Sequence, residues 1–301
     1  MAQKNHRKKY LSLKQKKRIR VLPTMTFSQK FKLLKNPSTW RRISIANWKA
    51  PNDPTVYGTL PINATPVLQF LEKTNKSSQS KVTITHVVAK ALALTLAKYP
   101  DLNGIISWQK IYLRTSVDIF LQVAIEEETH EEHPDLSGAK IENCDQKSLE
   151  QIATELKSQS RSIREKEDPQ FKKTTGLLRF IPAFALAFIL KVMGFIMYDL
   201  GFSFPKLGMP TDPFGSAMVT SVGMFNMPPA FAPLVPISRV PLILCVGQIK
   251  DRPWVEKGQL VVKPIVDIHV TFDHRFIDGL MGSRMAHYFQ EILGNPESHL
   301  S

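Results

Sequence analysis

The run T-F-D-H-R-F-I-D-G, residues 271–279 of this 301-residue chain, brings together residue types suited to acid–base chemistry. His274 follows residues 266–272, whose β-branched and apolar character predicts a strand, and Asp278 and Gly279 close the turn beyond it. An imidazole titrates near neutral pH, so a single well-held ring is enough to act as a general base. An Asp four residues on can anchor the turn that presents the ring, and Gly279 lets the chain turn tightly into a following helix. The other histidines lack such a setting. His86 falls in a predicted buried helix and His269 within a strand, where both read as hydrogen-bonded core or surface residues, and the rest lie in polar or terminal contexts. Cys144 and Cys245 match neither metal-ligand nor disulfide spacing and read as small buried residues, so no metal centre is expected. The composition fits a reducing, cytoplasmic compartment.

The elements that must position His274 are legible in outline. Residues 217–221, 242–249 and 259–271 read as strands, the last with a break at Pro264, and 280–293 as a closing helix. Upstream, the pattern predicts strands at 56–62 and 117–125, a hairpin over 105–108 and 111–115, and helices at 27–36, 65–74 and 147–166. Residues 83–99 are the clearest helix, with Thr83 as N-cap, hardly any polar face, and Pro100 as terminator. Helices and strands alternate without a regular βαβ rhythm, and no glycine-rich phosphate loop is present.

Charge is unevenly placed. The chain carries +14, but residues 1–20 hold nine Lys or Arg and no acid, and without those nine the charge falls to +5. Residues 1–37 read as a basic, disordered arm with one short helix, and 38–301 as the folded domain that carries the His274 turn. The functional reading of the arm is attraction to an anionic membrane surface, worth about 1 kcal/mol per basic residue. Without interleaved aromatics the arm argues against nucleic acid. An acidic run follows at 126–135.

Residues 177–204 are unusually apolar, yet Arg179, Pro182, Lys191 and Asp199 interrupt them. A spanning helix needs about 20 predominantly apolar residues. Three arrangements fit: a helical hairpin lying on a membrane or lining a hydrophobic acceptor channel, an ordinary buried segment, and a true span.

The motif D-H-R-F-I-D-G resembles the signature D-H-R-x-x-D-G of the 2-oxoacid dehydrogenase acyltransferase catalytic domains, the dihydrolipoamide acyltransferase family. Three further blocks follow in that family's order. They are K-V-T-I-T-H-V-V-A-K-A-L-A-L-T-L-A-K-Y-P-D-L-N at 81–103, D-Q-K-S-L-E-Q-I-A at 145–153 and M-V-T-S-V-G-M-F at 218–225. V-G-Q-I-K-D-R-P-W-V at 246–255 is also similar, so the resemblance covers roughly residues 38 to 295.

The resemblance implies an α/β (α+β layered) fold like that of chloramphenicol acetyltransferase, a mixed sheet with flanking helices. It implies acyl transfer from acyl-CoA, a co-substrate rather than a bound cofactor, to a thiol or hydroxyl acceptor without an acyl-enzyme. His274 would be the general base. Thr220, or the adjacent Ser221, would donate to the tetrahedral oxyanion, and Asp278 would pair with an arginine, Arg41 or Arg42, to fix the catalytic turn with Gly279. A homotrimer with each site between subunits is expected on the same grounds.

The chain departs from the family pattern in carrying no lipoyl or subunit-binding domain ahead of the resemblance, and in the acidic run and the insertion at about 168–214. Three functions therefore compete. The first is a stand-alone acyltransferase, peripheral to a membrane and acting on a hydrophobic or carrier-bound acceptor. The second is the dihydrolipoamide acyltransferase component of a 2-oxoacid dehydrogenase complex, with its lipoyl domain in trans. The third is a non-catalytic assembly or membrane-anchoring protein that keeps the fold.

Overall fold

The computed structural model of the protein describes residues 38–47, 52–125, 135–164, 182–203, 211–225 and 227–300. The basic arm, the helix expected at 27–36 and most of the acidic run lie outside the described residues. The chain divides into two compact units, Met1–Asn52 and Asp53–Ser301. In the first, helix α1 (Thr39–Asn47) carries Arg41 and Arg42, both exposed.

The second unit runs β1 (Thr55–Asn63), α2 (Thr65–Ser77), α3 (Ile84–Lys98), β2 (Gly104–Ser107), β3 (Lys110–Leu113), β4 (Ile119–Ile125), β5 (Asp135–Ile141) and α4 (Leu149–Arg164). It continues through α5 (Ala183–Gly194), β6 (Ala217–Ser221), β7 (Leu242–Glu256), β8 (Gln259–Asp273), α6 (Gly279–Gly294) and α7 (Pro296–Leu300). Six strands form one mixed sheet in the order β1-β8-β7-β6-β4-β5, parallel at β4/β6 and β6/β7, while β2 and β3 pair separately. The mixed sheet with flanking helices matches the architecture expected from the sequence.

The pleat sorts side chains between two faces. Val219, Leu244 and Ile268 join Val87, Leu92 and Leu96 of α3 and Met285 and Phe289 of α6 in the main core. The alternate residues Met218 and Ile243 enter a smaller cluster with Val240. Helix α3 is buried nearly all round, as its sequence required, and Thr83 stands at its N-cap with extended backbone.

Three elements depart from the sequence reading. Pro264 does not break β8: it lies one residue past the end of the β1 pairing, where its missing N–H faces no partner strand, and its carbonyl accepts from the Ala64 N–H at 2.8 Å. Strand β7 continues beyond residue 249 to Glu256, pairing with β8 as a ribbon closed by Lys257 and Gly258, both at positive φ. Strand β5 completes the sheet beside β4 immediately after the acidic run.

Within the apolar insertion, α5 leads into a single π-helical turn, Phe195–Asp199. Asp199 fastens this turn to the β2–β3 hairpin. Its carboxylate accepts from Ser107 Oγ at 2.6 Å and from Arg239 at 2.7 Å, and its carbonyl accepts from Trp108 Nε1 at 2.8 Å. The Trp108 and Phe195 rings meet edge-on at 5.8 Å. Among the described residues no helix is long and apolar enough to cross a membrane.

Candidate active site

His274 stands one residue past β8, at the end of the sheet where β1 begins. Its backbone N–H donates to the Pro54 carbonyl at 2.9 Å, tying the turn to the chain entering β1. The side chain is exposed, and its ring stacks on Phe272 with centroids 6.4 Å apart and planes at 26°. The turn is held by its neighbours. The Asp273 carbonyl accepts from the Phe276 and Ile277 N–H groups, and both of those side chains are buried.

Asp273 also does what the sequence reading did not anticipate. Its carboxylate takes a forked pair of hydrogen bonds from Arg275, Nη2 at 2.6 Å and Nε at 3.1–3.2 Å, and a third from the Arg275 backbone N–H at 2.9 Å. Hydrogen bonding to Asp273 holds the Arg275 pKa above its ordinary value. The signal was present as Asp and Arg flanking His274, since residues two apart in extended chain share a face.

Asp278 is the N-cap of α6 and accepts from the Met281 N–H at 2.8 Å. Its carboxylate satisfies one of the first-turn donors and sets where the helix starts. Arg41 and Arg42, expected beside it, belong to the first compact unit. Gly279 is the first residue of the helix, and a Cβ there would meet no atom within 4 Å.

Thr220 and Ser221 end β6, both half-buried. They point to opposite faces: Thr220 shares the face of Met218, whereas Ser221 shares that of Val219 in the main core. Thr220 is level with Cys245 of β7, and Cys245 with His269 of β8. His274 lies five residues further along β8, so the structure does not bring Thr220 and His274 together within one protomer.

His269 is buried between β1 and the segment before β7. Its Nδ1 lies 3.1 Å from Thr59 Oγ1, and Phe231 packs edge-on at 5.1 Å. Burial lowers its pKa, opposed by the Asp267 carboxylate. Both cysteines are buried and free. Burial raises the Cys245 pKa and pushes that of Cys144 up to about 12, so neither thiol is poised as a nucleophile. Among the described residues no group of three His, Cys, Asp or Glu could hold a metal ion.

The family model described as 2-oxoacid dehydrogenases acyltransferase (catalytic domain) matches residues 38–171 and 213–301. The chain therefore belongs to that family, and the unmatched stretch between the two blocks is the apolar insertion. A 55-residue segment is 38% identical to the dihydrolipoyllysine-residue acetyltransferase component of the pyruvate dehydrogenase complex of Staphylococcus aureus. The same figure holds for its counterpart in Staphylococcus epidermidis. That segment is 18% of this chain and 13% of the relative's length.

Among solved structures, a dihydrolipoamide acetyltransferase of Azotobacter vinelandii superposes with a TM-score of 0.60 at 21% identity, covering 93% of this chain and 99% of the other. A probable dihydrolipoamide acetyltransferase of Listeria monocytogenes gives a TM-score of 0.59 at 18% identity, covering 87% and 94%. These likenesses define the fold.

Proposed function

We propose that the chain transfers an acyl group between CoA and a dihydrolipoyl-type thiol, with His274 as general base. The family match carries this reading, because it embraces the whole D-H-R-F-I-D-G turn. His274 Nε2 takes the proton of the acceptor thiol. The thiolate sulfur attacks the thioester carbonyl, and the tetrahedral oxyanion accepts a hydrogen bond from Thr220. Collapse breaks the bond to the CoA sulfur, which takes the proton back from the imidazolium.

Thr220 is preferred over Ser221 because it faces away from the main core. Its separation from His274 supports a site completed by the Thr220 hydroxyl of a second copy, as in a homotrimer. The β7–β8 ribbon, with Val255, Leu260 and Val262 more than two-thirds exposed, is suited to bury apolar surface against that copy.

The test is to incubate the protein with acetyl-CoA and dihydrolipoamide and follow release of CoA together with the S-acetylated product. His274→Ala should lower kcat by about 10²–10⁴-fold. A His274→Ala protein with unaltered turnover would remove the proposal.

The unmatched insertion favours a second reading, in which the acceptor is hydrophobic and the protein works at a membrane surface. Phe188 is 69% exposed and Phe195 41% exposed. On this reading free dihydrolipoamide is rejected, and an acylated product appears when a lipid extract is supplied instead.

A further inference from the structure

An apolar cavity of about 340 Å³ opens between the edge strand β1 and helix α6 and reaches back to α3. Leu92, Leu244, Val270, Met285 and Phe289 are among the side chains that line it. The holes in its wall come from glycine. Gly58 shares the core face of β1 with Leu60 and Ile62, and Gly279 and Gly282 occupy the first turns of α6. A Cβ at residue 58 or 279 would meet nothing within 4 Å, and one at 282 would only touch Ile277 at 3.6 Å. Packed interiors keep few voids larger than a water molecule, and a space this size costs stability unless something fills it.

Two residues connect the cavity to His274. Phe272 and Ile277, on either side of the turn, both line it. The Phe272 ring that forms part of the wall is the one on which the imidazole stacks. A thioester carbonyl brought to His274 would have its hydrocarbon tail beside this opening.

We propose that this cavity is the acyl-chain subsite and that the acyl group transferred is a medium chain rather than acetyl. The inference rests on the acyl-transfer reading of His274. An apolar cavity of ~150 Å³ holds one benzene molecule, so the space here suits a chain of about six to ten carbons. The wall is almost entirely apolar, which disfavours hydroxylated or carboxylated acyl donors: of its three side-chain hydroxyls, Thr95 donates to Ala91 O, Thr59 is engaged with His269, and Ser283 Oγ lies 3.3 Å from His287 Nδ1.

The test is a series of saturated acyl-CoAs from acetyl to decanoyl, with dihydrolipoamide as acceptor and the full chain as enzyme. Burial of each methylene favours a longer substrate by about fourfold, so kcat/KM should rise at least tenfold from acetyl to octanoyl. Gly58→Leu, whose Cβ would meet no atom within 4 Å, projects a side chain into the cavity and should reduce the octanoyl-to-acetyl ratio at least tenfold. Calorimetric binding of octanoyl-CoA and of CoA gives a second readout independent of turnover. The octanoyl chain should tighten binding at least tenfold in the wild type, and Gly58→Leu should lose most of that gain.

A flat or falling rate profile together with equal affinities would overturn the subsite. If acetyl-CoA is turned over in a His274-dependent way with no chain-length preference, the subsite falls and the acyl-transfer reading stands. If no acyl-CoA is turned over, that reading falls and the binding ratio still decides the cavity.

Discussion

Thr220, at the end of β6, and His274, one residue past β8, lie out of reach of each other. The ladder runs from Thr220 to Cys245 to His269, which leaves His274 five residues further along β8 and two strands away. At about 3.3 Å per strand residue, the displacement along the strand alone is about 16 Å. A hydroxyl and an imidazole that far apart cannot act on one carbonyl, so the proposed chemistry requires each to meet its partner from another copy.

Complementation checks this. Thr220→Ala and His274→Ala should each be nearly inactive, with Thr220→Ala reduced by about 10²-fold or more in kcat. Co-expressed and assembled together, the two variants should recover activity, because in a cyclic oligomer roughly a quarter of the sites would combine an intact histidine with an intact threonine. Recovered activity measured on the purified mixed assembly would support the shared site, and its absence from an assembly shown to contain both variants would rule it out.

The end of β6 depends on a second close approach. A Cβ on Gly223 would sit 2.7 Å from the Gly247 carbonyl oxygen and 3.1 Å from its carbon. These are backbone atoms at the bulge between Val246 and Ile249, so no side-chain rotation can relieve the clash. Gly223→Ala should push the segment after Thr220 off β7, lengthening the 3.0 Å hydrogen bond from the Val222 N–H to Val246. Overpacking of this kind costs about 1–3 kcal/mol, which denaturant unfolding would measure. Activity should fall more than stability alone predicts, because the displaced segment directly follows Thr220.

What could be read from the sequence was local. Helix α3 was legible because Thr83, an almost unbroken apolar run and Pro100 all mark it within eighteen residues. The strand carrying His274 was legible because β-branched residues pack on both of its faces. Strand β5 was not, since only its pairing with β4 makes a strand of residues that follow an acidic run. The outer half of β7 was missed because Arg252-Pro253-Trp254 reads as a loop, and a two-stranded ribbon needs no core to show itself in the pattern. The motif located the turn that carries His274, but the Asp273–Arg275 fork became visible only in three dimensions.

His86 makes folding stability depend on pH. It is 7% exposed, and burial lowers its pKa to about 4. Its Nδ1 accepts from the Thr83 N–H at 3.0 Å, so that nitrogen carries no proton in the folded state. An unfolded histidine titrates near 6.5, so between that pH and about 4 the unfolded chain binds more protons than the folded one. The contribution of His86 is thus fully present above about pH 6.5 and is lost as the pH falls toward 4, by about 3 kcal/mol at most. His86→Gln should flatten this part of the profile, because a Gln at the third helical position can accept the same bond without titrating. Urea unfolding of both proteins from pH 7.5 to 4.5 measures the difference, and identical slopes would exclude His86 as the cause.

Asp199 is the fastening of the insertion, and its loss should be felt locally. Its side chain is 9% exposed and accepts from Ser107 and Arg239, while Arg239 also donates to the Ile106 carbonyl at 3.1 Å. Asp199→Ala would leave the Ser107 hydroxyl without its acceptor and the partly exposed Arg239 guanidinium without its countercharge. The cost should be about 2 kcal/mol, below that of a fully buried pair because Arg239 is one-third exposed. The main core, built from α3, α6 and the sheet, shares none of these bonds. Hydrogen exchange should therefore accelerate in α5, the π-helical turn and the β2–β3 hairpin while the amides of α3 keep their protection. Uniform acceleration across α3 as well would mean that the insertion folds as part of the core.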